Sequence, residues 1–314
     1  MENASGKING CDEFGGARYP IVECLYIVTI MSKAASSKGF TSMNDYANPS
    51  EYWETRLNCQ FDLTGVGYAG VGEYYNAQMY QARLRAFERM LSHAGRHLQG
   101  ASVLDIGCGT GFYTEYCKRQ SVELYMGIDI TEISIRTLRD RYPDFRFLQA
   151  DITSDDFNIS MGFDMVIAAD VLYHIIDDGK FAIALRKLCG SVKPGGLLVI
   201  ADVFPTNTVQ TSAHVRLRGQ REYEFPLRRA GLSVERIEPI FVVLQPPIDF
   251  RQAFWGNRVY NLAWKIMLRL IAWRPMEMIW VLSLAWLDER IFLNRINPRT
   301  YTVKWLLASD HHAE

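Results

Sequence analysis

From Ser102 onward, short apolar runs alternate with amphipathic stretches in a strand, turn, helix rhythm. "SVLDIG" (102–107) is an apolar strand, and a helical pattern from Phe112 to Gln120 follows its glycine turn. "ELYMGID" (123–129) and "FRFLQAD" (145–151) are the second and third strands, with a helix from Glu132 to Arg141 between them. "FDMVIAAD" (163–170) is the fourth, and a helix from Asp178 to Cys189 leads through "KPGG" to a fifth, "LLVIADV" (197–203). A helix ending at "RRAGL" precedes a sixth strand in "IEPIFVVL" (237–244), and "RTYTVKWLLAS" (299–309) is the seventh. Short apolar strands separated by amphipathic helices predict an α/β fold, a doubly wound sheet covered on both faces.

The flanks follow other patterns. Residues 46–98 are helical and polar-aromatic. A glycine-rich interruption, "TGVGYAGVG" (64–72), precedes a long amphipathic helix whose buried stripe is predicted at Tyr80, Leu84, Phe87 and Leu91. Residues 250–297 are helical, apolar and aromatic, holding Trp255, Trp264, Trp273, Trp280 and Trp286. Residues 1–45 show no periodicity, and their apolar run Pro20 to Met31 is interrupted by Glu23 and too short to span a bilayer. The chain therefore divides into a weakly ordered extension (1–45), a helical cap (46–98), an α/β core (99–249), an insert (250–297) and a last strand with tail (298–314).

Composition narrows the partner. A formal net charge of −1 and a pI of about 6.6 give no electrostatic reason to bind nucleic acid, so a small-molecule acceptor is expected. The six cysteines lie scattered, without zinc-ligand spacing, which predicts free thiols and no metal. No segment has the pattern of a secretory signal, and a cytoplasmic protein is expected.

The chemistry is concentrated in "VLDIGCGTGF" (103–112). Gly107, Gly109 and Gly111 sit between a strand and a helix, where backbone amides approach a ligand without an intervening Cβ. A dinucleotide turn would place its third glycine at 112, which is Phe. Asp105 within the motif would repel a pyrophosphate but suit a cation. Asp129 ends the second strand, where a carboxylate reaches ribose hydroxyls, and Asp151 follows the third, placed to accept from an adenine amino group. Together these describe a pocket for an adenosine that carries a sulfonium and an amino-acid tail.

This constellation, completed by "ADVLYH" after strand four and "VKPGGLLVIAD" at strand five, resembles the class I S-adenosylmethionine-dependent methyltransferases over residues 102–203. The resemblance implies a Rossmann-like seven-stranded sheet, mostly parallel with an antiparallel last strand, and S-adenosyl-L-methionine as cofactor. It also implies that Asp105, Gly107, Gly109 and Gly111 shape the methionine and ribose region. Asp129 and Ile130 would hold the ribose, Asp151 and Ile152 the adenine, and Asp170 and Val171 the methyl-donor side. Tyr68, Tyr74 and Tyr75 are candidates to cover the cofactor, with core packing as the alternative for one of the adjacent pair.

The acceptor is expected beside Asp170, Tyr173 and His174. His174 is the candidate base for a hydroxyl acceptor, or a structural and substrate-contact residue. "HVRLRGQREYEF" adds His214, Arg216 and Arg218, which would pair with an anionic acceptor or form a solvated basic face. Oxygen is the favoured methyl acceptor, with nitrogen, carbon and a non-catalytic cofactor-binding protein as alternatives. The insert leaves the carboxyl edge of strand six and is expected over the acceptor site, either as a lid or as an interfacial surface contacting a membrane.

Overall fold

The computed structural model describes residues 48–68, 71–244, 262, 265–267, 269–271, 274–293 and 303–310. The extension 1–45 and Trp255, Trp264 and Trp273 of the insert lie outside the described residues. A seven-stranded sheet forms from β1 (Ser102–Ile106), β2 (Leu124–Asp129), β3 (Arg146–Gln149), β4 (Phe163–Ala169), β5 (Val192–Asp202), β8 (Leu232–Pro239) and β9 (Lys304–Asp310). Its order is β3-β2-β1-β4-β5-β9-β8. The first five strands are parallel; β9 runs antiparallel to both β5 and β8, which gives β8 the direction of the other five.

Alternate residues of each strand serve opposite faces. Val103, Leu197, Val199, Trp305 and Leu307 face one core, and Leu104, Leu198, Ile200, Leu306 and Ala308 face the other. The first core is covered by α3 (Glu73–His93) and α4 (Phe112–Arg119), with α5 (Glu132–Arg141) contributing Ile135 and Leu138. The second is covered by α6 (Asp178–Gly190) and α7 (Gln220–Arg229), through Phe181, Leu185 and Leu227. This two-sided burial is why the strands are near-continuous apolar runs.

Ahead of the sheet, α1 (Pro49–Cys59) starts at an Asn48 cap and α2 (Leu63–Val66) at an Asp62 cap. On α3, Leu84, Phe87 and Leu91 are buried as the spacing predicts, but Tyr80 is only partly so and faces a cavity. The inward stripe runs through Tyr75, Met79, Ala86 and Met90 instead.

Three features depart from the expected pattern. A two-stranded hairpin, β6 (Val209–Ser212) with β7 (Val215–Leu217), occupies the stretch before α7. The sixth strand of the sheet ends at Pro239, so "IFVVL" is mostly buried without being strand. Its amides are satisfied elsewhere: Ile240 donates to the Val303 carbonyl, and Val242, Val243 and Leu244 donate to the Asp288 carboxylate. Asp288 opens a π-helical turn (Asp288–Phe292) at the end of α8 (Arg274–Leu287), so it anchors the insert to the end of β8. Finally, α8 packs against the outer side of α3, burying Val281 and Ala285, and Arg85 pairs with Glu289.

Trp305 joins these layers. Its ring is fully buried between Phe87 and Tyr113, and its Nε1 donates to the Arg83 carbonyl at 3.0 Å. Trp305→Ala is expected to cost about 3–5 kcal/mol, read as a lowered midpoint in urea unfolding. A change below about 1 kcal/mol would show that the site collapses without loss.

Candidate functional site

At the end of β1 the chain must turn sharply, and three glycines take left-handed conformations: Gly107 (φ +74°), Gly109 (φ +51°) and Gly111 (φ +86°). A Cβ at 107 would clash with Val171, one at 109 would press on Val66 at 3.3 Å, and one at 111 would clash with Leu138. The amides of Gly107 and Cys108 donate to the Ile128 carbonyl, and Gly109 donates to Asp129 at 2.8 Å. The loop is thereby tied to the end of β2.

Beside it lies a cavity of about 490 Å³. Gly107, Gly109, Asp129 and Ile130 line one part of it, Asp151 and Ile152 another, and Asp170, Val171, Tyr173 and His174 a third. Ten of the residues singled out from the sequence are thus brought to one space at the carboxyl ends of β1, β2, β3 and β4, as open α/β sheets require.

The carboxylates are individually positioned. Asp129 Oδ1 accepts from the amide and hydroxyl of Thr131, and burial raises its carboxyl above the usual range. Asp151 Oδ1 accepts from the amide and hydroxyl of Thr153, leaving Oδ2 without a partner among the described residues. Asp170 sits in a left-handed conformation (φ +59°), and Arg83 grips it with two bonds, Nε to Oδ2 at 2.6 Å and Nη2 to Oδ1 at 3.0 Å. Burial alone would weaken the Arg83 charge, but Asp170 outweighs it and holds the guanidinium protonated.

Another stretch of the cavity wall is aromatic. Tyr80, Phe112 and Tyr113 come from α3 and α4, and Trp53 comes from α1. Helix α1 is held there because Glu54 accepts from the first amides of α5, at Glu132 (2.6 Å) and Ile133 (3.1 Å). The Tyr113 hydroxyl is buried without a hydrogen-bond partner among the described residues, and burial keeps Tyr113 and Tyr173 neutral.

His174 packs edge-on to Trp53 at 5.0 Å and stacks on His214 at 5.7 Å. Its Nδ1 lies 2.9 Å from the His214 carbonyl oxygen, so Nδ1 carries the hydrogen and Nε2 the lone pair. Burial and the neighbouring His214 push its pKa down to about 3, and burial with Arg56 pushes that of His214 down to about 4.

Five of the expected site residues do not line this cavity. Asp105 is buried behind the loop, where Tyr125 donates to it at 2.6 Å and burial raises its pKa to about 7. It braces β1 against β2 rather than facing a ligand. Gly111 starts α4 and makes room for Leu138. Arg216 and Arg218 both pair with Asp178, at 2.8 and 2.9 Å, and Arg218 is fully buried over the Phe181 ring. Both arginines turn to this one carboxylate and neither lines the cavity, and His214 stacks on His174 from behind. Tyr68, Tyr74 and Tyr75 also stand off the cavity; the Tyr75 hydroxyl donates to the Leu244 carbonyl. Residues the pattern missed are Arg83, Trp53, Tyr80 and Tyr113. Only Tyr80 carried a signal, at one edge of its predicted stripe. No group of His, Cys, Asp or Glu among the described residues could hold a metal ion.

The comparisons agree with this geometry. Residues 103–196 match a methyltransferase domain family. Ubiquinone biosynthesis O-methyltransferase from Bradyrhizobium diazoefficiens is 32% identical over 125 residues, covering 39% of this chain and 47% of that protein. Nodulation protein S from Sinorhizobium fredii is 28% identical over 34% of this chain and 49% of that protein. The chain thus spans about half the length of these curated relatives. The crystal structure of magnesium protoporphyrin IX methyltransferase from Synechocystis with bound S-adenosylmethionine shares the fold, with a TM-score of 0.51 and 13% identity over 87% of this chain and 100% of that one. With the glycine loop and the carboxylates that follow β2 and β3 gathered at one cavity, the chain contains a methyltransferase domain over residues 103–196, built on the class I methyltransferase fold.

Proposed function

We propose that the protein methylates a hydroxyl group on a small, planar, partly hydrophobic acceptor. The observation that carries this is the aromatic wall of Trp53, Tyr80, Phe112, Tyr113 and Tyr173, which shares one cavity with the glycine loop. Such a wall favours a flat apolar ring. The arginines that could have recognised an anion are already paired with Asp178. The O-methyltransferase relative favours oxygen as the acceptor atom.

When bound, S-adenosylmethionine supplies a methyl group activated by its sulfonium. The cavity fits it: side chains at 107 and 109 would crowd the loop, and Asp129 and Asp151 present carboxylates without a fixed cation. The residues of this chain then contribute position. Alignment of reacting groups is worth up to about 7–11 kcal/mol of barrier, and Asp170, locked by Arg83, is rigid at the point where the alignment is made. His174 accepts a hydrogen bond from the acceptor hydroxyl through Nε2. With a pKa of about 3 it is a weak base at neutral pH and orients the hydroxyl, whose proton passes to solvent.

Calorimetry is expected to show micromolar binding of S-adenosylmethionine and its demethylated product and no binding of NAD. Gly109→Val, forced into a left-handed conformation, should remove that binding; unchanged affinity would overturn the assignment of the loop. A panel of phenolic, amine and carbon acceptors with labelled cofactor should give product on phenolic oxygen, and label on nitrogen alone would refute the hydroxyl acceptor.

His174→Ala is expected to raise KM and to lower kcat by less than about tenfold. A group with a pKa of about 3 is neutral throughout pH 5–8, so the rate should carry no His174 inflection in that range. A loss of about 10²–10⁴ in kcat, with an inflection that disappears in the variant, would make His174 the general base.

A further inference from the structure

The insert carries a surface that the cavity does not use. No described residue of the insert lines the cavity, and α8 packs on α3. On α8, Val281 and Ala285 face inward, while Met278, Ile279, Leu282 and Trp286 are 46–57% exposed. Their spacing of one, four and eight residues puts them on one side of the helix. In the preceding helical residues, Ile271 is buried while Leu262 and Ile266 are 60% and 49% exposed. Six of the nine large apolar side chains exposed among the described residues belong to this one segment, and the four on α8 share one face of that helix.

Charge identifies what covers it. Lys265, Arg269 and Arg290 are exposed, and none has an ion-pair partner among the described residues. The carboxylates of the same segment are mostly committed elsewhere: Asp288 is buried under three backbone amides, Glu289 pairs with Arg85, and Glu277 is only partly exposed. An apolar face flanked by uncompensated cations matches the boundary of an anionic bilayer. A second copy meeting the same patch about a two-fold axis would bring these cations against one another. No helix among the described residues is long and apolar enough to cross a membrane, so the segment would lie on the surface.

We propose that Leu262, Lys265, Ile266 and Arg269, together with the exposed face of α8 and Arg290, form a docking surface for an anionic lipid bilayer. The inference stands apart from the methyl-transfer reading, because none of these described residues lines the cavity. In docking, Met278, Leu282 and Trp286 enter the acyl boundary, and Lys265, Arg269 and Arg290 remain at headgroup level.

The purified full-length protein, sedimented with phosphatidylcholine vesicles containing phosphatidylglycerol, should co-sediment. Binding should be weaker to phosphatidylcholine alone and should fall as salt rises. The triple variant Met278→Ser, Leu282→Ser, Trp286→Ser should stay in the supernatant while binding S-adenosylmethionine with unchanged affinity, which also shows that it folds. Lys265→Gln and Arg269→Gln should each lower affinity for anionic vesicles about fivefold, the effect of one cation near a charged surface. Absence of the unmodified protein from the vesicle pellet would overturn the proposal. So would a dimer in sedimentation velocity that the triple variant dissociates, which would assign the face to a second copy.

Discussion

The buried pair of Arg83 and Asp170 is the interaction on which the rest of the molecule leans. Both side chains are largely withdrawn from water, at 9% and 17% exposure, and only a bidentate geometry compensates their desolvation. The pair ties α3 to the end of β4 and steadies Asp170 in a left-handed conformation. The main chain of Arg83 also receives the indole hydrogen of Trp305, and its guanidinium lies over the Tyr80 and Phe241 rings. One residue therefore connects the cavity, the last strand and the segment that leads to the insert. Removal of either partner would leave the other charge buried and unpaired, a loss of about 3–5 kcal/mol.

The central sheet and glycine loop were legible because local chemistry specifies them. Tight left-handed turns favour glycine, strands buried on both faces need unbroken apolar runs, and the acidic residues follow their strands directly. Arg83 was not legible because its meaning depends on Asp170, far along the chain, and a helix position with Arg looks solvent-facing. Arg216 and Arg218 failed in the opposite sense. Their basic pattern suggested a free binding group or a solvated face, whereas both turn to the single carboxylate of Asp178, at the start of α6. "IFVVL" looked like strand because burial and strand pairing leave the same apolar signature, and only Asp288 reveals how its amides are satisfied.

Electrostatically, the cavity concentrates neutral groups. Burial keeps Tyr113 and Tyr173 un-ionised and strips His174 of its usual proton, while Arg83 is neutralised by its partner. The charged groups that remain are the carboxylates at the ends of β2 and β3 and, at the start of α6, Asp177 and Lys180. The buried carboxylates attract a cationic ligand, and the aromatic wall offers an apolar acceptor a surface that carries no charge.

The place of β9 has a kinetic consequence. It pairs with β5 on one side and β8 on the other, and it follows both of them and the whole insert in the chain. The β1 to β5 region assembles through nearby βα contacts, whereas these last pairings close very long loops and form late. Until they do, β5 offers an open edge and β8 has no neighbour, beside a helix that already displays Met278, Leu282 and Trp286. The slowest step of folding thus coincides with the greatest exposure of adhesive surface, and self-association at that stage competes directly with completion of the sheet.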